Sequence, residues 1–223
     1  MDTRSFAHGV KSAVPIVLGY IPIGFAYGVI ARGIGLTVPE ATAMSILVYA
    51  GSAQFIATGL LAAGAGPMTI IATTFLVNLR HLLMSAALLP GLRHLSPKLL
   101  AVLSFGITDE SFAVASLELE NARNAGSFLL GLNLTSYVSW IASSAGGAWF
   151  GSLFPDTDRF GLDFALPAMF IALLIFQIRE HRYWVVAILA GIASVGLALL
   201  LPGNWNIILA TLVGATVGMV MER

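Results

Sequence analysis

The sequence predicts an all-α, polytopic integral membrane protein with about seven to eight membrane segments, forming a single transmembrane domain over residues 1–223. Hydrophobic residues make up 58% of the chain and charged residues only 10%, whereas an ordinary soluble domain has about 25% charged residues. A soluble fold of this size could not cover its surface. The apolar residues also form long runs, close to the roughly 20 residues that a helix needs to cross a bilayer.

Charged residues, prolines and glycines divide the chain into its apolar segments. The predicted segments cover residues 13–31, 41–63, 67–90, 98–117, 127–150, 164–178, 184–201 and 204–221. Some of them are expected to be broken or re-entrant.

The first segment, 13–31, follows about ten polar residues that lack the small-residue cleavage site of a removable signal peptide. We therefore expect the segment to act as its own insertion signal. Pro15, Gly19, Pro22 and Gly24 interrupt it. Proline removes a helical hydrogen bond, so the freed carbonyls either line a cavity or only accompany a kink.

The second segment, 41–63, combines small residues with an amide in the sequence YAGSAQF at 49–55. Small residues let helices approach closely, and packing alone is one explanation for them. Glycine beside serine is also where a membrane helix can unwind and present its backbone to a ligand. The Gln54 amide is costly to leave in hydrocarbon, so Ser52 and Gln54 are candidates for hydrogen bonds to a ligand.

The third segment, 67–90, carries Asn78, Arg80 and His81 near its middle. A charge at the centre of a membrane helix costs roughly 2.5–3.5 kcal/mol on insertion scales, so Arg80 must be paired or reach water. Asn78 and His81 share a helix face from which Arg80 points away, which suits a helix with polar surroundings on two sides. The alternative is that Arg80 ends a shorter span and extends to the lipid headgroups.

The fourth segment, 98–117, carries the polar sequence TDES at residues 108–111. A break there into a re-entrant pair of half-helices is one interpretation, and a complete crossing is the other. Thr108 is suited to cap a helix that begins at Asp109, where the helix dipole favours acidic groups. Adjacent carboxylates repel, so a desolvated Asp109 or Glu110 is expected to take up a proton near neutral pH, as in a proton relay. In the alternative reading this is an interfacial break with both carboxylates in water.

The fifth segment, 127–150, carries a stripe of polar and aromatic side chains at helical spacing. The stripe consists of Asn133, Ser136, Tyr137 and Trp140. Hydrogen bonding between helices is its simplest role, and the remaining three segments are predominantly apolar.

An internal repeat is one explanation for a resemblance between residues 50–57 and 165–172. The repeat halves would then be about 13–117 and 127–221, an arrangement common in transporters. Shared composition of two apolar helices is the other explanation.

Positive charges in short loops place the N-terminus in the cytoplasm. Arg4 and Lys11 precede the first segment, and two arginines lie in the loop 179–182. The loop 91–98 is also positive, yet it falls outside if every segment crosses. This conflict disappears if the fourth segment is re-entrant and another crossing within 41–90 is incomplete.

Several classes of function are disfavoured by what the sequence lacks. A formal net charge of zero gives no basic field for nucleic acid. There is no cysteine and the four histidines are scattered, so no metal site is expected. No nucleophile elbow, phosphate-binding loop or dinucleotide fingerprint is present, so neither an enzyme nor a cofactor is expected.

The polar motifs and their order resemble those of the AzlC family: YAGSAQF at 49–55, NLRHLL at 78–83, TDE at 108–110 and LDFALPA at 162–168. The resemblance extends over nearly the whole chain. It implies the large subunit of a two-component exporter of branched-chain amino acids, namely leucine, isoleucine, valine and often methionine, in the cytoplasmic membrane. It also implies a small AzlD-type membrane subunit as partner, and it assigns no role to any residue.

The residues themselves favour a secondary transporter for a zwitterionic, apolar amino acid, coupled to protons. The candidate site comprises the polar residues of three motifs: Ser52, Gln54, Asn78, Arg80, His81, Thr108, Asp109 and Glu110. Arg80 or a half-helix N-terminus would receive the substrate carboxylate, and one of the two acidic residues the ammonium group or the coupling proton. Serine and the amides would supply neutral hydrogen bonds.

Two other readings stay open. In the first, the chain is a passive channel or a scaffold in which Arg80 pairs with Asp109 or Glu110 only for assembly. In the second, it is a permease of the same architecture for another small organic acid or amine.

Overall fold

The computed structural model describes residues 2–119, 122–153, 171, 174–175, 178, 181–200 and 205–221. Within these ranges every regular element is a helix, which confirms the predicted all-α class. The chain divides into two compact units, Met1–Leu166 and Pro167–Arg223. The predicted segment 164–178 and the second copy of the suggested repeat lie almost entirely outside the described residues.

The first unit contains eight of the helices. They are α1 Thr3–Ser12, α2 Val14–Gly33, α3 Val38–Leu47, α4 Gly51–Ala62, α5 Pro67–Leu92, α6 Pro97–Phe105, α7 Asp109–Glu118 and α8 Ala125–Gly151. In the second unit, α9 His181–Leu200 packs along α10 Trp205–Met221.

Three helices in the described part of the chain are long and apolar enough to cross a membrane: Val14–Gly33, Pro67–Leu92 and Arg182–Leu200. At ~1.5 Å per residue each extends over close to 30 Å or more. They coincide with the predicted segments 13–31, 67–90 and 184–201. On α5, Leu82 and Leu83 are 67% and 70% exposed, as side chains that contact lipid would be. The number of complete crossings stays a prediction.

The first predicted segment is one continuous helix despite its prolines. Pro22 lies inside α2 without ending it, and Pro15 lies in its first turn, where the missing N–H has no helical partner to lose. The interruption expected from these prolines is therefore not a break in the helix.

The polar N-terminus forms the additional helix α1, which packs against the start of α8. Its N-cap is Asp2, whose carboxylate accepts a hydrogen bond from Ser5 Oγ at 2.6 Å. This hydrogen bond lowers the pKa of the Asp2 carboxyl. The backbone N–H of Asn124 donates to the same Ser5 hydroxyl at 3.1 Å, so one serine connects the two helix starts.

The centre of the first unit is α8, which packs against α1, α2 and α3. Glycines allow the closest of these approaches. A Cβ atom on Gly147 would lie 2.0 Å from the carbonyl oxygen of Phe25, and one on Gly28 would lie 2.1 Å from the carbonyl oxygen of Ser144. Helices α2 and α8 therefore cross with their backbones almost in contact.

Two predicted segments are each divided into two helices. Residues 48–50 separate α3 from α4, and residues 106–108 separate α6 from α7. Unwinding beside Gly51 is thus confirmed. Thr108 caps α7 as predicted: its side chain accepts a hydrogen bond from the backbone N–H of Ser111, and the helix begins at Asp109.

The start of α3 has a capping box. The backbone N–H and the hydroxyl of Thr37 donate to Glu40 Oε2 at 2.7 and 2.6 Å. These hydrogen bonds lower the pKa of the Glu40 carboxyl. The capping box stabilises the first turn of α3, the helix that ends directly before the break at residues 48–50.

Candidate functional site

Arg80 connects the starts of the two half-helices. Its Nη2 atom lies 3.0 Å from Asp109 Oδ2, at the first residue of α7, and it donates a hydrogen bond to Ser52 Oγ at the start of α4. The Arg80 side chain is 30% exposed and that of Asp109 is 17% exposed. Arg80 is thus paired inside the protein rather than extended to the headgroups.

The neighbouring carboxylate, Glu110, has a different partner. The hydroxyl of Tyr20 on α2 donates to Glu110 Oε2 at 2.8 Å and lies 2.7 Å from Thr108 Oγ1. Because a hydroxyl has a single hydrogen, Thr108 is then the donor to Tyr20. The two adjacent acidic residues therefore belong to separate polar contacts, one ionic and one made of hydroxyl groups.

Tyr49 lies in the break between α3 and α4 and is 5% exposed. Its hydroxyl lies beside Tyr20, Thr108 and Glu110, yet it makes no hydrogen bond within the described residues. Its ring contacts Tyr137 at 4.9 Å between centroids. A buried hydroxyl without a partner costs about 1–3 kcal/mol, so the Tyr49 hydroxyl is a candidate for binding a ligand.

Sequence reasoning did not select Tyr20 or Tyr49. The signal for Tyr20 is present in the sequence, since Tyr20 and Tyr27 are the only residues of the first predicted segment with a polar side-chain atom. Tyr49 belongs to the motif at 49–55, in which Ser52 and Gln54 are the predicted ligand contacts.

The Gln54 amide is hydrogen-bonded at both ends within the protein. It is fully buried, its Nε2 donates to Ser45 Oγ at 3.0 Å, and its Oε1 accepts from Trp140 Nε1 at 2.7 Å. These bonds link α3, α4 and α8. These hydrogen bonds explain how an amide is tolerated in an apolar segment. In this conformation both polar atoms of the amide are bound to protein groups rather than presented to a ligand.

The stripe on α8 makes the hydrogen bonds between helices that its spacing suggested. Besides Trp140, Tyr137 donates to the carbonyl of Ile46 at 2.7 Å, and Asn133 donates to the carbonyl of Leu103 at 3.0 Å. Ser136 instead bonds within its own helix, to Leu132. Both carbonyl acceptors belong to helices that end at the breaks, so α8 holds the two interrupted segments in place.

Asn78 and His81 lie on α5 close to Arg80 without a hydrogen bond to it. The Asn78 Oδ1 atom and the Arg80 Nε atom are buried and have no partner within the described residues. His81 is partly buried and is close enough to Arg80 and Asp109 to interact electrostatically. The structure therefore brings Ser52, Arg80 and Asp109 together and places the other two beside them.

The start of α4 has no side-chain cap, because the residue before it is Ala50. The first amides of a helix lack helical partners and carry the positive end of the helix dipole. Ser52 in this first turn also contacts Arg80. Positive electrostatic potential is consequently concentrated at this end of α4, opposite the acidic start of α7.

No three His, Asp or Glu side chains in the described ranges converge in a way that could hold a metal ion. The chemistry that this arrangement supports is binding: one cation, two carboxylates and several hydroxyl groups, at the meeting point of two interrupted helices.

We expect Gln54→Leu to lower the thermal unfolding midpoint of the chain. The replacement leaves Trp140 Nε1 buried without its acceptor, a cost of about 1–3 kcal/mol for an unsatisfied group. Ser45 Oγ loses the donor from Gln54 but keeps its hydrogen bond to the Ala41 carbonyl. The measurement is thermal unfolding of the detergent-purified chain followed by static light scattering. Thr42→Val, on the adjoining helix, removes a hydroxyl that bonds only to its own helix and serves as the control. A normal midpoint in Gln54→Leu would contradict the structural role.

A family model described as AzlC protein matches residues 15–154. The chain is 32% identical to the branched-chain amino acid transport protein AzlC of Bacillus subtilis over 211 residues, which covers 93% of this chain and 82% of that protein. It is 32% identical to the inner membrane protein YgaZ of Escherichia coli over 204 residues, with coverage of 87% and 83%. It is 36% identical to an uncharacterized membrane protein of Archaeoglobus fulgidus over 211 residues, with coverage of 94% and 92%. No solved structure matches the chain.

Proposed function

This chain belongs to the AzlC family, and we propose on that basis that it is the large subunit of a secondary transporter that exports branched-chain amino acids across the cytoplasmic membrane. Leucine, isoleucine, valine and methionine are the proposed substrates, and protons the coupling ion. The partner is a small membrane subunit of the AzlD type. The N-terminus lies in the cytoplasm, and the membrane domain has seven to eight segments, as the sequence predicts.

The observation that carries this proposal is the position of Arg80 between two half-helices. It pairs with Asp109 at the start of α7 and donates a hydrogen bond to Ser52 at the start of α4. Charged groups inside a membrane domain are costly and are retained mainly where they serve binding or transport. Broken helices whose ends meet near the middle of a membrane domain are a recurrent form of substrate site. A zwitterion fits such a site because both of its charges meet a complementary group.

In the proposed binding mode, the substrate carboxylate is bound by Arg80 or by the uncapped start of α4. An acidic residue at the start of α7 receives the ammonium group or the coupling proton. Ser52 and Asn78 supply neutral hydrogen bonds. Of the remaining candidates, Thr108 shapes the start of α7 and His81 lies beside the ion pair, while Gln54 supports the site from behind.

The test is efflux of radiolabelled leucine from proteoliposomes that contain this chain and its small partner subunit. We expect saturable efflux that is accelerated by an inwardly directed proton gradient, because proton entry would drive the exchange. Excess valine and isoleucine should compete. Vesicles with the small subunit alone provide the control.

Three results would separate the alternatives. Flux that is linear in leucine concentration and indifferent to the proton gradient indicates a passive channel. Efflux of an unrelated organic acid or amine, with no competition by leucine, indicates another permease. Absence of any flux with both subunits present contradicts the proposed transport.

A further inference from the structure

The two adjacent acidic residues differ in whether their charge is balanced within the protein. Asp109 has the Arg80 guanidinium at 3.0 Å. Glu110 has the Tyr20 hydroxyl at 2.8 Å, and no cation of the described chain lies within ion-pair distance of it. One site thus contains a carboxylate that is neutralised by an arginine and, one residue further, a carboxylate whose hydrogen-bond donors in the described chain are all neutral.

A carboxylate in this position needs a positive charge from outside the described chain. Hydrogen bonds from neutral donors offset only part of the cost of desolvating a carboxylate. The missing charge is either a proton or a bound cation. Glu110 keeps some exposed surface, through which we expect a small ligand to reach it.

The surroundings of Glu110 favour a cation with several hydrogen-bond donors. Tyr20 binds Oε2, and a carboxylate has further lone pairs on its two oxygens that can accept hydrogen bonds. The buried Tyr49 hydroxyl beside it makes no hydrogen bond within the described residues, and its lone pairs can accept one. A protonated carboxyl would satisfy the charge but would supply only one donor, whereas an ammonium group supplies three.

Aromatic rings complete these surroundings. The Tyr20 ring lies edge-on to that of Tyr49, with centroids 6.5 Å apart, and packs against Trp140 at 5.1 Å. Aromatic faces attract cations that lie within about 6 Å, and the attraction is stronger where water is excluded. Such rings therefore favour an ammonium group over a neutral carboxyl hydrogen.

We propose that Glu110, Tyr20 and Tyr49 form the subsite for the α-ammonium group of the transported amino acid, and that Asp109 serves as the internal counter-ion of Arg80. This inference rests on the proposed function, because it presupposes an amino acid substrate. It assigns the two acidic residues to different tasks and adds two tyrosines that contact the substrate. Thr108, which donates to Tyr20, acts as a positioning residue.

The experiment measures equilibrium binding of radiolabelled leucine to the purified full-length chain with its partner subunit in detergent, by scintillation proximity. The competitor is α-ketoisocaproate, which has the side chain and carboxylate of leucine but no ammonium group. We expect the wild-type protein to prefer leucine. Glu110→Gln should weaken leucine binding by about tenfold or more and leave the affinity for α-ketoisocaproate unchanged.

Glu118→Gln is the matched control, because Glu118 is on the same helix and is bound instead by Ser12 and His8. It should bind both ligands as the wild type does. Tyr20→Phe and Tyr49→Phe keep the rings and remove only the hydroxyl groups. Each should weaken leucine binding several-fold without affecting α-ketoisocaproate, so they decide the matter even if Glu110→Gln fails to fold.

The inference is overturned if Asp109→Asn, rather than Glu110→Gln, removes the preference for leucine. It is also overturned if Glu110→Gln binds leucine normally but its transport no longer responds to the proton gradient, since Glu110 then carries the proton. Normal leucine binding in both tyrosine variants would also overturn the inference. A wild-type complex that binds neither ligand contradicts the proposed function itself, and the inference with it.

Discussion

We expect Arg80→Ala to abolish the proposed leucine export and to lower the stability of the chain. The change leaves the Asp109 carboxylate without its cation and Ser52 without its charged donor. Removing one partner of a fully buried ion pair costs about 3–5 kcal/mol. Because the Arg80 and Asp109 side chains are 30% and 17% exposed, we expect a smaller loss, about 2 kcal/mol, alongside a complete loss of flux.

The measurements are the unfolding midpoint in detergent and leucine efflux from proteoliposomes. Arg93→Ala is the control, since Arg93 is exposed just after the same helix and should change neither quantity. The exchanged pair, Arg80→Asp with Asp109→Arg, separates structure from mechanism. A stable exchanged protein without flux supports direct contact with the substrate, whereas restored flux shows that pairing alone is required.

Gly147→Ala prevents helices α2 and α8 from packing as they do in the wild-type protein. The new Cβ atom would lie 2.0 Å from the carbonyl oxygen of Phe25 and 2.7 Å from its carbonyl carbon. Both atoms belong to a helix backbone, which cannot rotate aside as a side chain can. The helices must separate, and we expect the loss to reach about 3 kcal/mol, within the range of overpacked cores.

Gly146→Ala is a closely matched control, one residue away on the same helix, because a Cβ there meets no atom within 4 Å. Alanine favours a helix over glycine by about 0.5–1 kcal/mol, so this variant should be as stable as the wild type or slightly more so. The yield of monodisperse protein and its unfolding midpoint are the readouts. Equal behaviour of the two variants would contradict the close crossing.

The sequence was sufficient to predict the features that depend on local composition. Long apolar runs gave α2, α5 and α9, and the threonine before two acidic residues gave the start of α7. The costs of a charge in hydrocarbon also selected Arg80 and Asp109, which the structure brings into contact. The resemblance to the AzlC family, based on the order of the polar motifs, is confirmed, and the chain is a membrane protein of that family.

What depends on distant parts of the chain could not be predicted in the same way. The Gln54 amide is satisfied by Trp140, 86 residues away, and no local pattern indicates that pairing. Tyr20 has the same property, because the partner of its hydroxyl, Glu110, lies 90 residues away in the sequence. A tyrosine in an apolar run resembles a core residue until the partner of its hydroxyl is known.

One guanidinium group holds the first turns of both α4 and α7, through Ser52 and Asp109. An anion that takes a hydrogen bond from Arg80 therefore competes with the contacts that fasten two half-helices to α5. The affinity for that anion therefore includes the free energy of loosening these contacts. By thermodynamic linkage, a change that loosens either helix alters the affinity for the anion by the same coupling free energy. Ligand binding and the mobility of the two interrupted segments are in this way a single coupled equilibrium.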